Sequence, residues 1–391
     1  MNISDENPDQ GNLDRMFLSP PHVGEREREL LLAAFDSNYI APVGPHLDLF
    51  EEMFREKTGF RHAVAVTSGT AAMHLALRCL GIGEGQVVLS STLTFIGGVS
   101  PICQEGAEPC FVDVRPETWN LDPDLVEEAL CQLSEEGARP GAVIATDLYG
   151  QCCEQERLRG ICDRYGIPLV VDAAESLGAR RCGVGAGSLA DCAVFSFNGN
   201  KILTTSGGGM LASDDEELVA HARKLATQAR ESVPHYEHRE LGYNYRLSNL
   251  CAAVGCAQLE KLDERVGRKR EIYRLYRGLL DGCEGLSLMP IDPAGEPNFW
   301  LTTILIDRRR FGSSPEQVRL CLEEENVEAR PLWKPMHRQP VFAGCRAWDR
   351  GVADRLFEEG LCLPSGTTMS DDDVARVADL VLGCSANRAD A

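Results

Sequence analysis

Between about residue 62 and residue 212 the chain alternates short apolar runs with amphipathic stretches. The strand candidates are Ala63–Val66, Gln86–Leu89, Pro109–Val114, Ala142–Ala145, Pro168–Val171, Ala190–Phe195 and Met210–Ala212. Several are apolar at successive positions rather than alternate ones, which predicts strands covered on both faces. Between them the spacing turns helical: in Glu154–Tyr165, Leu158, Ile161, Cys162 and Tyr165 fall on one side. Two helical stretches precede the alternation, Glu25–Ser37 and His46–Thr58, and the segment up to about Arg15 reads as a loose tail. The order of elements predicts an α/β fold with a mostly parallel sheet.

After the last of these strands the pattern changes. A long charged helical region, roughly Asn249 to Leu280, leads into a Pro/Gly-rich stretch from Gly285 to Pro297. Strand-like runs including Trp300–Ile306 follow, with helices near Ser314–Asn326 and Asp371–Leu382. We read residues 1–255 as a tail plus a large α/β domain, and residues 256–391 as a linking helix plus a smaller α+β domain.

Charge removes several classes of function. The 391 residues carry 60 Asp+Glu against 39 Lys+Arg, a formal net charge of −21. Nucleic acid and anionic membranes would repel such a surface. No apolar run approaches the roughly 18 residues of a membrane span, and Met1 to Gly11 is polar and acidic, unlike a signal peptide. The 16 cysteines include no C-x-x-C pair, so no metal site is expected, and the thiols read as reduced residues of a cytoplasmic chain. Lysine is scarce: Lys57, Lys201, Lys224, Lys261, Lys269 and Lys334 are the only amines on side chains.

Four segments carry candidate chemistry. In Ala65-Val66-Thr67-Ser68-Gly69-Thr70-Ala71 a strand turns into a helix N-terminus, whose free amides suit an anion such as phosphate; Ser68 or Thr70 would serve a plain helix cap equally well. In Leu169-Val170-Val171-Asp172-Ala173-Ala174-Glu175 a carboxylate ends a strand, where open α/β sheets bind ligands or where an Asp simply caps a turn. In Ser196-Phe197-Asn198-Gly199-Asn200-Lys201 an amine sits in a polar turn, with Ser196 and Asn198 offering further hydrogen bonds to an anion. Such a lysine is a nucleophile for carbonyls when desolvated, and a surface lysine otherwise. Lys57, Lys224, Lys261 and Lys269 fall in charged helical runs and Lys334 in a loop, which leaves Lys201 as the candidate Schiff-base amine. In Gly242-Tyr243-Asn244-Tyr245-Arg246, rings alternate with polar groups, which reads as a loop with two buried tyrosines.

Taken together and in this order, the four segments resemble the fold-type I pyridoxal-phosphate enzymes. Within these they are most similar to the nucleotide-sugar aminotransferases of the DegT/StrS family, EpsN-like branch. The resemblance extends from Ser37-Asn38-Tyr39-Ile40-Ala41-Pro42 to Arg330-Pro331-Leu332-Trp333-Lys334-Pro335-Met336-His337. It implies pyridoxal 5′-phosphate as cofactor, with Lys201 as the Schiff-base lysine and Asp172 on the pyridine nitrogen. Glu175 would lie beside the ring oxygen and Phe95 against the ring face. Gly69, Thr70, Ala71 and Ser196, with Asn198 nearby, would hold the phosphate. Asn244 corresponds to a residue reaching the neighbouring subunit's cofactor, which implies a homodimer with shared sites.

The implied reaction transfers an amino group from L-glutamate to a nucleotide-linked keto-sugar, most closely C4 of a UDP-4-keto-6-deoxy-N-acetylhexosamine. Tyr39, Arg246, Trp333 and His337 are candidate substrate contacts. Tyr39 and Asp147 depart from the residues common in the family (Trp, and His or Asn), which bears on sugar identity. A sugar dehydratase on the same scaffold is disfavoured because related 3-dehydratases replace the lysine by His. A non-catalytic ligand sensor is disfavoured by the complete set Lys201, Asp172, Ser196 and Asn244.

Overall fold

The computed structural model describes residues 15–385, so nearly all of the expected loose tail lies outside the described residues. Each doubly apolar run is a strand with a core on either side. In Pro140–Thr146, Val143 and Ala145 enter one core while Ala142 and Ile144 enter the other. Leu169 and Val171 likewise oppose Val170, and Ala193 and Phe195 oppose Cys192 and Val194. Side chains alternate faces along a strand, so burial on both sides leaves no position for a polar residue.

The large sheet has eight strands, in the order His62–Val66, Gly209–Ser213, Cys192–Ser196, Leu169–Asp172, Pro140–Thr146, Val87–Ser91, Glu108–Val112 and Ala347–Trp348. From Cys192–Ser196 to the far edge every pairing is parallel, and Gly209–Ser213 runs antiparallel to both its neighbours. This is the expected mostly parallel sheet. Its edge strand Ala347–Trp348 comes from the C-terminal part of the chain. Two residues are too short a run to show a period, which is why pattern reading misses it.

The long charged region is two helices, Asn249–Glu260 and Leu262–Leu280, separated at Lys261, where the backbone leaves helical geometry. Ser248 starts the first by accepting the Cys251 amide. A second, antiparallel sheet follows, ordered Leu286–Leu288, Thr302–Ile306, Gly360–Leu363, Arg330–Pro331, over its own core. The N-terminal strap is tied to this part: Met16 bonds Asn326 and Glu328, and the Leu18 carbonyl accepts the Ser365 amide. No described helix is long and apolar enough to cross a membrane.

Two buried polar anchors brace the strand ends. Glu51 accepts the Ala65 amide at 2.7 Å and pairs with Arg223 and Arg246, locking the helix Pro45–Thr58 to the first strand. Asp147, just beyond Pro140–Thr146, is fully buried and accepts the Cys153 amide at 2.8 Å and the Ser176 hydroxyl at 2.7 Å. Asp147 is therefore a structural strut. Burial pushes its carboxyl up to about 6.

That shift gives a signed prediction. A carboxyl raised in the folded state stabilises below its unfolded pKa, and the contribution is lost as pH rises through about 6. Asp147→Asn removes the loss. The variant's stability relative to wild type should grow by roughly 3 kcal/mol between acid and mildly alkaline pH. Urea denaturation across that range checks it, and parallel stability curves for the two proteins would refute it.

Candidate active site

The C-terminal ends of the parallel strands converge on a cavity of about 280 Å³. Its walls are the turn Thr67–Thr70, the loop around Phe95, and the groups Thr146, Asp172, Glu175, Ser196, Asn198 and Lys201. Loops leaving parallel strands splay apart at a reversal of strand order, which is where such sheets bind ligands.

One end of the cavity is an anion cradle. Ser68 caps the helix Gly69–Cys79 by accepting the Ala71 amide at 3.0 Å, and the Ala72 amide returns to the Ser68 carbonyl. The Gly69 and Thr70 amides at the first turn take no acceptor among the described residues, whereas that of Ala71 is spent on the cap. The cradle tolerates no side chain behind it. A Cβ on Gly209 would come within 2.4 Å of the Ser68 carbonyl carbon. One on Gly69 would lie 3.1 Å from Ser196 Cβ.

The same cavity also has a buried acidic wall. Asp172 takes the Ala174 amide at 3.1 Å on Oδ1. Its other oxygen, Oδ2, lies where a Cβ on Gly98 would intrude to 2.4 Å. Glu175 receives the Tyr149 amide at 2.7 Å. Burial raises the pKa of both carboxyls, and the charge of Lys201 works against that rise. Lys201 Nζ sits 3.6 Å from Glu175 Oε1 and 3.9 Å from the centre of the Trp300 ring. Phe95 presents an exposed ring beside Trp333, with centroids 5.5 Å apart.

The donor set fits pyridoxal phosphate. Free amides and the Ser196 hydroxyl suit a phosphate, a buried carboxylate suits a protonated ring nitrogen, an amine lines the same cavity, and Phe95 offers a flat face. Lys201, Asp172, Glu175, Phe95, Gly69, Thr70, Ser196 and Asn198 thus come together as expected.

Other expected residues lie elsewhere. Asn244 is exposed, outside this cavity, and accepts the Gln228 side-chain amide at 3.0 Å. Its neighbours Tyr243 and Tyr245 stack on each other at 4.8 Å and lean on His74. They are half-buried, and the segment runs beside the first strand, where the Tyr245 carbonyl accepts the Thr67 amide. Arg246 is buried against Glu51 and the Ala65 carbonyl, so its guanidinium braces the fold and does not reach the cavity. His337 bonds Thr92 Oγ1 at 2.7 Å and lies 3.3 Å from Asp354, also away from the cavity walls. Tyr39 is exposed on a surface loop. Trp333 does line the cavity, and with Phe17, Trp300, Glu328 and Arg330 it also lines an adjoining chamber of about 610 Å³.

Sequence reasoning missed Trp300, Gly98 and Thr94. The last receives the Thr146 hydroxyl at 3.0 Å under the cavity. Trp300 heads an expected strand-like run and Gly98 and Thr94 carry no pattern, and only the fold brings them to one cavity. It also misjudged Lys269, which is buried and does not lie on a charged surface.

Comparison with known proteins agrees with this geometry. Residues 21–382 match the DegT/DnrJ/EryC1/StrS aminotransferase family. EpsN of Bacillus subtilis (strain 168), described as a pyridoxal phosphate-dependent aminotransferase, is 48% identical over 372 residues, covering 94% of this chain and 95% of EpsN. A GDP-perosamine synthase of Caulobacter vibrioides is 34% identical, covering 94% and 97% of the two chains. The crystal structure of DesI with its TDP-sugar product superposes with a TM-score of 0.87 at 31% identity, covering 95% and 93%. A cavity built for the phosphate, ring and aldehyde of one cofactor thus sits in a chain that belongs to the DegT/DnrJ/EryC1/StrS aminotransferase family, the pyridoxal-phosphate-dependent sugar aminotransferases.

Proposed function

We propose that this enzyme moves an amino group from L-glutamate to C4 of a nucleotide-linked 4-keto-6-deoxy sugar, with a UDP-linked N-acetylhexosamine as acceptor, in polysaccharide or glycan biosynthesis. The observation that carries the reading is Lys201 Nζ, held 3.6 Å from Glu175 in a cavity that also contains Asp172 and the anion cradle. The names of the GDP-perosamine synthase and of DesI with its TDP-sugar support a nucleotide-linked acceptor. So does the aromatic chamber of about 610 Å³, which gives a large substrate room beside the cavity.

Each residue has a role in this account. When bound, the cofactor supplies an electron-accepting ring that stabilises negative charge next to the transferred nitrogen. Gly69 and Thr70 amides with the Ser196 hydroxyl would hold its phosphate. Asp172 would favour a protonated ring nitrogen, since a buried carboxylate favours a neighbouring positive charge. Phe95 would offer an aromatic face to the ring, and Glu175 would lie near its oxygen. Lys201 Nζ would move the proton at the substrate carbon, and its confinement would set the direction of approach.

The working unit in this reading is a homodimer in the cytoplasm. Leu31, Leu32, Phe35, Tyr39, Ile40 and Val43 are exposed along one stretch of chain, apolar residues of the kind a subunit interface would cover. Asn244, exposed and outside its own cavity, is available to the partner's phosphate site. Buried thiols such as Cys110, Cys162 and Cys192 suit a reducing compartment.

Three outcomes follow. L-glutamate should convert the visible absorbance of the reconstituted enzyme, and Lys201→Ala should cut turnover by on the order of 10³-fold while the protein still folds; an unchanged rate would refute the role of Lys201. Random mixing of Lys201→Ala and Asn244→Ala protomers should restore about a quarter of the sites, because one site of each mixed dimer is then intact. No recovery would contradict shared sites. With UDP-, dTDP- and GDP-linked 4-keto-6-deoxy sugars offered in turn, the UDP-N-acetyl sugar should give the highest kcat/KM; preference for a GDP sugar would replace that acceptor.

A further inference from the structure

A second buried amine lies behind the first. Lys269, on the helix Leu262–Leu280, is 2% exposed. Its Nζ donates to the Trp300 carbonyl at 2.8 Å, the Ser365 carbonyl at 2.8 Å and the Ser19 hydroxyl at 3.2 Å. All three partners are neutral. The charged group that acts on it most is Arg265, a like charge one helical turn away and 4% exposed. Burial and that repulsion lower the Lys269 pKa to about 7.

Burying an amine without a carboxylate is costly, and an apolar side chain would fill the same space without that cost. What an amine adds is geometry. A tetrahedral ammonium has three donors, and here they join three segments distant in sequence: the N-terminal strap at Ser19, the entry to a strand at Trp300, and the loop at Ser365. Ser365 extends the knot, donating its amide to Leu18 and accepting the Thr302 amide at 2.9 Å.

Trp300 connects this knot to the cavity. Its carbonyl is held by Lys269, its amide by Asn298 at 2.8 Å, and its indole N–H by the carbonyl of Asn200 at 2.7 Å, next to Lys201. The ring so fixed lies over Lys201 Nζ, whose side chain is 12% exposed. Lys201 and Lys269 also border one small void of about 10 Å³, shared with His22, Gln258 and Arg265, with room for one water at most. Around the void, His22 Nδ1 bonds Thr367, and Gln258 bridges to the buried carboxylate of Glu27.

We propose that Lys269 is a positioning residue for Lys201, acting through Trp300: its three hydrogen bonds hold the indole as the cap that fixes and shields the catalytic amine. The inference rests on Lys201 being that amine, and its test is arranged to separate the two ideas.

The test compares Lys269→Met, Trp300→Leu and the double variant with wild type, as cofactor-free full-length protein. Each is exposed briefly to acetic anhydride, and acetylation of Lys201 relative to Lys57 and Lys334 is read by mass spectrometry. Lys269→Met should raise relative labelling of Lys201 about threefold, as expected for losing a cation–π contact. Trp300→Leu should do the same, and the double variant should add nothing to Trp300→Leu alone. Reconstituted Lys269→Met should then lose kcat with KM for glutamate unchanged. Unchanged labelling in a folded Lys269→Met, or additive effects in the double variant, would overturn the proposal. If Lys269→Met does not fold, Lys269→Gln, which keeps two donors, takes its place; failure of both would make Lys269 a residue of the fold alone and overturn it too. Absence of any cofactor link to Lys201 in wild type would instead refute the proposed function, and the labelling result would stand apart from it.

Discussion

One ammonium group faces two buried carboxylates, and the arrangement of the site follows from that imbalance. Asp172 and Glu175 are both nearly excluded from water, and the cation acting on each is Lys201. Two like charges in a poorly solvated space repel, and each favours a partner of opposite sign. Glu175 has Lys201 at 3.6 Å together with the Tyr149 amide. Asp172 lines the cavity with its Oδ2 beside Gly98, where it would take the protonated ring nitrogen of a bound cofactor. The site is thus complementary to a positively charged heterocycle before one arrives. The Trp300 indole and the knot around Lys269 complete the enclosure by holding the amine from behind.

The chain's net charge of −21 runs against its anionic ligands, and the structure resolves the conflict by distance. The cradle at Gly69 and Thr70 acts through backbone amides at contact range, where a helix N-terminus attracts phosphate. Charges spread over an acidic surface are screened within roughly 10 Å in ordinary salt. Much of the arginine is engaged in surface pairs such as Arg26–Glu260 and Arg346–Glu136, or buried as in Arg246–Glu51. Phosphate recognition at the cradle is therefore a matter of local amide geometry, independent of the overall balance.

How much of this could be read in advance depended on whether the signal was local. Short apolar runs marked the seven main strands, several of them continuous because burial on both faces leaves a trace within four to seven residues. Asp172 and Lys201 were legible because strand ends and polar turns are local features, whereas Glu175 follows from the family resemblance alone. Residues brought in by tertiary packing were not legible. Trp300 is an unremarkable position in a strand-like run, and Gly98 acts only through the space it leaves beside Asp172. Arg246, expected at the substrate, and Lys269, expected in a charged helical run, are both buried by partners distant in sequence. Asn244 is exposed and outside the cavity, so its expected role is visible neither in a sequence pattern nor in one protomer.

The central claim is that Lys201, and no other amine, joins the cofactor. Reduction of the reconstituted enzyme with borohydride, followed by peptide mapping in a mass spectrometer, reads this directly. The account predicts one pyridoxyl group per chain, on the peptide carrying Lys201. A pyridoxyl group on Lys269, the other buried amine, or on no lysine at all, would contradict it.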